Sequence, residues 1–203
     1  MQLLSSLFVL PTRRPKPSIE ARLQGERVIL RAGEATDWRN WRNLREHSRG
    51  FLTPWEPAWP SNATTYGFFC GMLRRQWREW RDGKTYNFLI FLRDPERQGP
   101  GALIGGIALS DIHRGIAQVG TLGYWLGEPY TGHGYMREAA ELVTLFAFET
   151  LKLHRIEASC LPHNEPSKNL LTRLGFEQEG YARQYLQING FWQDHLLWGK
   201  VWG

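Results

Sequence analysis

Two glycines lie one residue apart, at Gly132 and Gly134, directly before a stretch with the apolar spacing of a helix. A helix that begins here presents unpaired backbone N–H groups from about Gly132 to Arg137, and such a helix end binds phosphate or another anion. Because glycine has no Cβ, an anion can approach these amides closely. The same pair of residues is also typical of a simple tight turn, so other parts of the chain must decide its role.

Two common nucleotide-binding patterns do not fit this loop. Arg137 stands where the dinucleotide pattern G-x-G-x-x-G requires its third glycine. The phosphate-loop pattern that ends in Gly-Lys-Ser/Thr does not match either. His133 or Arg137 can add positive charge at the edge of the loop, so the loop stays a candidate site for a phosphorylated ligand of another class.

The elements around the loop are predicted from apolar periodicity and turn residues. Strands are expected at 27–33, 85–93, 102–112, 119–127 and 154–161, followed by a β-rich tail through Trp202. Helices are expected over about 37–48 and 64–81, after Gly134, and in a short segment that Gly175 ends. The order β-α-α-β-β-β-α-β-α-β-β predicts one α+β domain over residues 21–203, with a mixed, mainly antiparallel sheet. Residues 1–20 are expected to form a flexible or packed-on arm.

Composition limits the classes of function without choosing one. The 203 residues carry a formal net charge of +5, which favours acidic partners such as phosphorylated cofactors, nucleic acid or ribosomes. The two cysteines, Cys70 and Cys160, have no ligand-like spacing, so neither a zinc site nor a disulfide scaffold is expected, and a reducing cytoplasm fits. No apolar run reaches the roughly 20 residues that span a bilayer. The sequence leaves monomer and homodimer open.

Several blocks of sequence, taken together, resemble a known family. The blocks are FLTPWEP, HRGIAQVGTLGYWLGEPYTGHGYMREA and HRIEASCLPHNEPSKNLLTRLGFEQEGYARQYLQINGFWQDHLLW, in this order. They are similar to the GNAT superfamily of acyl-CoA-dependent N-acetyltransferases, and most of all to its RimJ/RimL-like branch, which acetylates ribosomal proteins. The resemblance covers roughly residues 22 to 200. It implies a GNAT fold, with a twisted sheet of about seven strands flanked by about four helices.

The resemblance also implies where acetyl-CoA, the acetyl donor, would bind. A backbone amide of one splayed strand would hold the thioester carbonyl, with Gly123 at a bulge: Leu122, Gly123, Tyr124, Trp125 and Leu126. The glycine loop would hold the pyrophosphate: Thr131, Gly132, His133, Gly134, Tyr135, Met136 and Arg137. Asn164 would contact pantetheine, and Ser167 would lie near the thioester sulfur.

Three positions depart from the usual pattern of the family. Thr131 and Met136 occupy the first and last positions of the loop pattern (R/Q)-x-x-G-x-(G/A). Many members have a tyrosine seven residues after the position of Asn164, where it protonates the leaving thiolate. Leu171 stands there in this chain, so that role cannot be assigned to it.

Ser167 and Glu56 are the candidate catalytic residues. Ser167 is the expected hydrogen-bond donor to the thiolate, although Asn164 or Ser167 can equally serve as a helix cap. Glu56 is the expected general base, because it lies in a rigid loop rich in proline and tryptophan; it can equally be a surface residue of a turn. Asp111 and a water molecule are the alternative bases.

The acceptor amine is left open by the sequence. The N-terminal α-amine of a protein, in particular a ribosomal one, is the first expectation, with direct transfer and no covalent enzyme intermediate. A small-molecule amine is the alternative within the same chemistry. A non-catalytic module that binds acyl-CoA, or an RNA-associated module that uses the segment RRQWREWR, is the alternative from another class.

Overall fold

The computed structural model describes residues 21–94 and 99–203, so the arm predicted for residues 1–20 lies outside the described part of the chain. Eight strands occur in the described part: β1 (Leu23–Gln24), β2 (Val28–Arg31), β3 (Tyr86–Arg93), β4 (Pro100–His113), β5 (Val119–Leu126), β6 (Arg155–Cys160), β7 (Glu177–Ile188) and β8 (Phe191–Val201). Five α-helices accompany them: α1 (Trp38–His47), α2 (Arg49–Leu52), α3 (Tyr66–Arg81), α4 (Tyr135–Leu145) and α5 (Glu165–Arg173).

The strands form one sheet in the order β1-β2-β3-β4-β5-β6-β8-β7. All neighbours are antiparallel except β5 and β6, which are parallel. The predicted α+β class and mixed, mainly antiparallel sheet are therefore confirmed. The strand that periodicity missed is β1, because two residues are too few to show an alternating pattern.

The core lies on both faces of the sheet. Along β3 the side chains alternate between two apolar clusters, because successive residues of a strand point to opposite faces. Phe88 and Ile90 belong to the larger cluster, which also contains the inner face of α4. Leu89 belongs to the smaller cluster, with Trp41 of α1 and Phe69 of α3. Helix α4 therefore covers one face of the sheet, and α1 and α3 cover the other.

The segment after α1 is more helical than its prolines predict. Instead of leaving the helix directly, the chain forms the short helix α2 and one turn of 3₁₀-helix at Thr53–Trp55. Pro54 fits this turn because its missing N–H is not needed near a helix start. Regular structure ends at Glu56, whose φ of −136° and ψ of 166° are extended. The expectation of a rigid, irregular loop therefore applies from Glu56 onward.

Helix α3 separates its tryptophans from its arginines. Trp80 is buried and Trp77 is partly buried, while Arg74, Arg75 and Arg78 are exposed. The helix therefore has one apolar face, with its arginines in solvent. Within the described residues, no helix has both the length and the apolar character needed to cross a membrane.

Candidate active site

A gap opens in the middle of the sheet, between the two parallel strands. β5 pairs with β4 as far as Leu126, but it pairs with β6 only from Val119 to Thr121. From Leu122 onward the two strands diverge, although β6 continues to Cys160. The edge of β5 that faces the gap therefore has no strand partner, and its backbone N–H and C=O groups are free to pair with a ligand.

The bulge predicted at Gly123 is not found there. Gly123 stays in regular register with Ala108 of β4, and the irregularity lies in β4 between Ser110 and His113. Asp111 absorbs it with a φ of 49°. The strands part because the pairing with β6 ends, so no extra residue is needed in β5. Gly123 itself is exposed, and a Cβ added to it would meet no heavy atom within 4 Å.

The glycine loop has the backbone that the sequence predicts for an anion site. Gly132 has a φ of 78° and Gly134 a φ of 79°, and Gly134 is the N-cap of α4. These are left-handed conformations, which residues with a Cβ adopt only at a cost. A Cβ on Gly132 would meet no heavy atom within 4 Å. The first-turn amides of α4 are therefore open to the space in front of the loop.

Arg27, which the sequence did not single out, anchors this loop. Its Nη1 donates to the backbone oxygen of His133 at 2.9 Å. Its backbone N and its Nε both donate to the carboxylate of Glu138, at 2.8 and 3.0 Å. The guanidinium also lies 5.2 Å from the ring centroid of Tyr135. The turn between β1 and β2 thus fixes the loop and the start of α4 together.

Helix α5 begins with the cap that was one of the two expected roles of Asn164. The Oδ1 atom of Asn164 accepts a hydrogen bond from the backbone N of Ser167 at 3.1 Å, and Pro166 lies in the first turn. The side chain of Ser167 is 9% exposed, and its hydroxyl lies 2.7 Å from the hydroxyl of Tyr124 on β5. Burial raises the pKa of Tyr124 to about 12, although the bond to Ser167 lowers it. One turn later, Leu171 is fully buried.

Glu56 is held by three hydrogen bonds. Arg45 of α1 donates to both carboxylate oxygens, at 3.1 and 2.5 Å, and the indole of Trp59 donates at 3.3 Å. The guanidinium of Arg45 lies between two rings, 4.2 Å from the centroid of Trp59 and 4.7 Å from that of Trp125 on β5. Arg45 therefore links the loop that carries Glu56 to the strand that borders the gap.

Two further contacts fix this loop. The backbone oxygen of Glu56 accepts a hydrogen bond at 2.9 Å from the N–H of Asn189, in the turn between β7 and β8. The ring centroid of Trp55 lies 5.5 Å from that of His163, just before α5. The loop is thereby held against three separate parts of the fold.

One cavity of about 890 Å³ joins these groups. Most of the predicted site residues line it: Glu56, Gly123, Tyr124, Trp125, Leu126, Thr131, Gly132, Gly134, Met136, Arg137, Asn164 and Ser167. Leu122, His133 and Tyr135 do not line it. Leu122 is buried in the core, and the side chains of His133 and Tyr135 pack against each other.

The cavity wall has one acidic side chain among the described residues that form it, Glu56, and three basic ones, Arg45, Arg137 and Arg173. Asp111, the alternative base, is not part of the wall. Within residues 21–94 and 99–203, no group of three or more His, Cys, Asp or Glu side chains is placed to hold a metal ion.

Comparison with known proteins identifies the kind of domain that carries this cavity. A family model described as an acetyltransferase (GNAT) domain matches residues 27–177. The chain is 37% identical to the probable N-acetyltransferase YjcK of Bacillus subtilis, over 86% of this chain and 94% of that protein. It is 34% identical to the ribosomal protein uS5-alanine N-acetyltransferase of Escherichia coli, over 88% of this chain and 89% of that one.

Solved structures agree with these relatives. The ribosomal-protein-S5-alanine acetyltransferase of Vibrio fischeri superposes with a TM-score of 0.80 at 31% identity, over 89% of this chain and 96% of that one. RimJ of Mycobacterium smegmatis, solved in complex with CoA-disulfide, superposes with a TM-score of 0.82 at 27% identity, over 92% of this chain and 90% of that one.

Proposed function

The chain belongs to the GNAT acetyltransferase family and is an acetyl-CoA-dependent N-acetyltransferase, and from this premise we propose that its acceptor is the N-terminal α-amine of a protein. The observation that carries the proposal is that the described residues of the cavity wall include a single carboxylate side chain, Glu56. This carboxylate is already paired with Arg45. A polyamine or another polycation needs several carboxylates to replace its hydration. An α-amine carries a single charge and needs only one carboxylate.

The walls around Glu56 favour the same class of acceptor. They are aromatic or aliphatic: Phe51, Leu52, Trp55, Trp59, Phe68, Met72 and Trp125. Such a pocket accommodates a small or apolar first side chain and excludes a strongly hydrated one. The E. coli relative is named for acetylating an alanine of ribosomal protein uS5. We therefore propose a small N-terminal residue, such as alanine, on a ribosomal protein.

The donor is proposed to lie across the gap in the sheet. The amides at the start of α4 would hold the pyrophosphate, since a helix N-terminus with two left-handed glycines offers several N–H groups to one anion. The free edge of β5 over Leu122–Leu126 would pair with the pantetheine amides, and Asn164 would border the same channel. Ser167 would then lie at the thioester sulfur. The M. smegmatis neighbour, which was solved with a CoA derivative, supports a donor in this cavity.

Glu56 is the proposed general base. A carboxylate offers about four lone-pair directions. Arg45 and Trp59 occupy three of them, which leaves one free on the oxygen that accepts a single bond from Arg45. An acceptor amine that has lost its ammonium proton to solvent can give its next proton to this oxygen as it attacks the thioester. The backbone N–H groups of β5 that face the gap would stabilise the tetrahedral oxyanion.

Transfer is proposed to be direct, from thioester to amine. Burial raises the pKa of the Cys160 thiol, so this thiol is a poor nucleophile, and Cys70 lies in α3 and is not part of the cavity wall. The neutral amine adds to the thioester carbonyl, which forms the C–N bond and a tetrahedral oxyanion. The carbonyl then re-forms as the C–S bond breaks, and the electron pair of that bond goes to sulfur. The proton lost by the amine goes to Glu56, and the thiolate is stabilised by the hydroxyl of Ser167.

The exposed arginines of α3 support a proposed association with the ribosome in the cytoplasm. Arg74 and Arg78 lie one turn apart and Arg75 lies beside them. The same helix supplies Phe68, Met72 and Gln76 to the cavity wall. When the N-terminus of an acceptor enters the cavity, the ribosome around that acceptor therefore lies close to the arginines of α3. Ribosomal RNA provides phosphates that can pair with these arginines.

Thiol release from acetyl-CoA, measured with a panel of amines, tests the proposed acceptor. Peptides that begin with alanine or serine should react, and the same peptides with a blocked N-terminus but a free lysine side chain should not. Spermidine and free amino acids are the competitors. A higher kcat/KM for spermidine than for every peptide would overturn the proposal.

A further inference from the structure

Two hydroxyl groups meet at the point where β5 leaves β6. The phenol oxygen of Tyr124 lies 2.7 Å from the Oγ atom of Ser167, and both residues line the cavity. Tyr124 comes from the strand that borders the gap, and Ser167 comes from the first turn of α5. The two residues are 43 positions apart in the chain, so the contact depends on the packing of α5 over the gap.

The pair has two protons, and only one of them can lie between the two oxygens. If Ser167 donates to Tyr124, the remaining proton is on the phenol. If Tyr124 donates to Ser167, the remaining proton is on the serine and can point to a third atom in the cavity. The second arrangement is favoured, because a phenol is the more acidic hydroxyl and the better donor. The thiol of Cys160 also contacts Ser167, but sulfur is a weak hydrogen-bond partner.

We propose that Tyr124 is a positioning residue for acetyl transfer: its phenol donates to Ser167 and so directs the serine hydroxyl at the sulfur of the leaving CoA. The inference rests on the proposed place of the thioester beside Ser167. As the C–S bond breaks, the electron pair that moves to sulfur accepts a hydrogen bond from Ser167, while the amine proton leaves toward Glu56. Tyr124 keeps its own proton throughout.

The burial of Tyr124 suits this role. Burial raises the pKa of its phenol to about 12. The phenol therefore remains protonated at every pH at which the amine and the thioester react, and its donor function does not titrate. The position at which many family members have a tyrosine holds Leu171, which is fully buried and has no hydroxyl. Tyr124 supplies a phenol to the same channel from a different element.

The test compares Tyr124→Phe, Ser167→Ala and the double variant. Tyr124→Phe keeps the ring and removes only the donor, so kcat should fall about tenfold, the upper range for one hydrogen bond between neutral groups, with an unchanged KM for acetyl-CoA. The double variant should be no slower than Ser167→Ala, because Tyr124 acts through Ser167. Tyr130→Phe, which removes a partly buried phenol outside the cavity wall, is the matched control and should retain full kcat.

Equilibrium binding gives a second readout that does not depend on turnover. Above pH 9, the parent protein should bind CoA more tightly than desulfo-CoA, and Tyr124→Phe should lose most of this difference. Full kcat in Tyr124→Phe, or a double variant slowed by the product of the two single effects, would overturn the inference. Full kcat in Ser167→Ala, with equal binding of CoA and desulfo-CoA by the parent, would instead show that the proposed place of the sulfur is wrong.

Discussion

Replacing Gly132 by alanine separates the binding role of the glycine loop from its role in folding. Gly132 has a φ of 78°, where a residue with a Cβ costs about 1–2 kcal/mol. Gly190, in the turn between β7 and β8, has a φ of 85°, and an added Cβ meets no heavy atom within 4 Å at either position. Gly190→Ala is therefore a matched control. Both variants should lower the Tm by the same amount, about 2–8 °C for a domain of this size.

Only Gly132 lines the cavity, so only its substitution should change donor binding. A methyl group there would stand in front of the amides that face the proposed pyrophosphate. The loss of one charge-assisted hydrogen bond, about 1.5–3 kcal/mol, corresponds to a Kd for acetyl-CoA that is about 10- to 100-fold higher. Calorimetric titration with acetyl-CoA, run beside thermal unfolding, measures both quantities. If Gly132→Ala loses stability like Gly190→Ala but binds acetyl-CoA like the parent, the assignment of the loop is refuted.

Four other variants test other parts of the site. The glutamine side chain of Arg27→Gln cannot replace both the bond of Nε to Glu138 and the bond of Nη1 to the loop carbonyl, so the KM for acetyl-CoA should rise several-fold while the KM for the acceptor stays constant. Arg45→Lys loses the bidentate bond and the stacking, so kcat/KM for the acceptor should fall about tenfold at an unchanged KM for acetyl-CoA. Glu56→Gln removes the proposed base, so kcat should fall about 100-fold or more. The double variant Arg74→Glu/Arg78→Glu should lose binding to ribosomal RNA in a gel-shift assay and still acetylate a short peptide normally.

Each of these expectations has a result that contradicts it, which for Arg27→Gln is an unchanged KM for acetyl-CoA. A smaller than threefold change of kcat in Glu56→Gln would indicate that water takes the proton. If Arg45→Lys changed only the KM for acetyl-CoA, Arg45 would contribute to donor binding and not to acceptor binding. Arg183→Glu on β7 is the control for the α3 arginines, because it also replaces an exposed arginine by glutamate. Equal RNA binding by both charge-reversed proteins would show that the contact is non-specific.

The parts of the site that depend on local backbone chemistry were predictable from the sequence. A pair of glycines before a helix start, an asparagine that caps the next helix and an apolar helix face are all encoded within a few residues. The structure has Gly132 and Gly134 in the left-handed conformation and has Asn164 as the cap of α5. The apolar run 85–93 likewise predicted a strand, and the structure has β3 there with residues in the clusters on both faces of the sheet.

The contacts that complete the site join residues far apart in the chain, and local patterns do not reveal these. Glu56 is visible as a loop carboxylate, but its pairing with Arg45 depends on how the loop folds back on α1. Arg27 and Glu138 are 111 residues apart. The bulge expected at Gly123 is absent because the sheet parts through an early end of pairing, which glycine content alone cannot distinguish from a bulge.

The gap between β5 and β6 has a mechanical consequence. The strands β1–β5 form one antiparallel block and β6–β8–β7 form another, and the pairing that joins the blocks covers only Val119–Thr121 and Arg155–Glu157. A donor bound across the gap would contact β5 in the first block and α5, which joins β6 to β7, and so would connect the two blocks. Without a bound donor, the protein should therefore separate between β5 and β6 before it unfolds elsewhere. Hydrogen exchange of the β6 amides should slow when acetyl-CoA binds, even at residues that the donor does not touch.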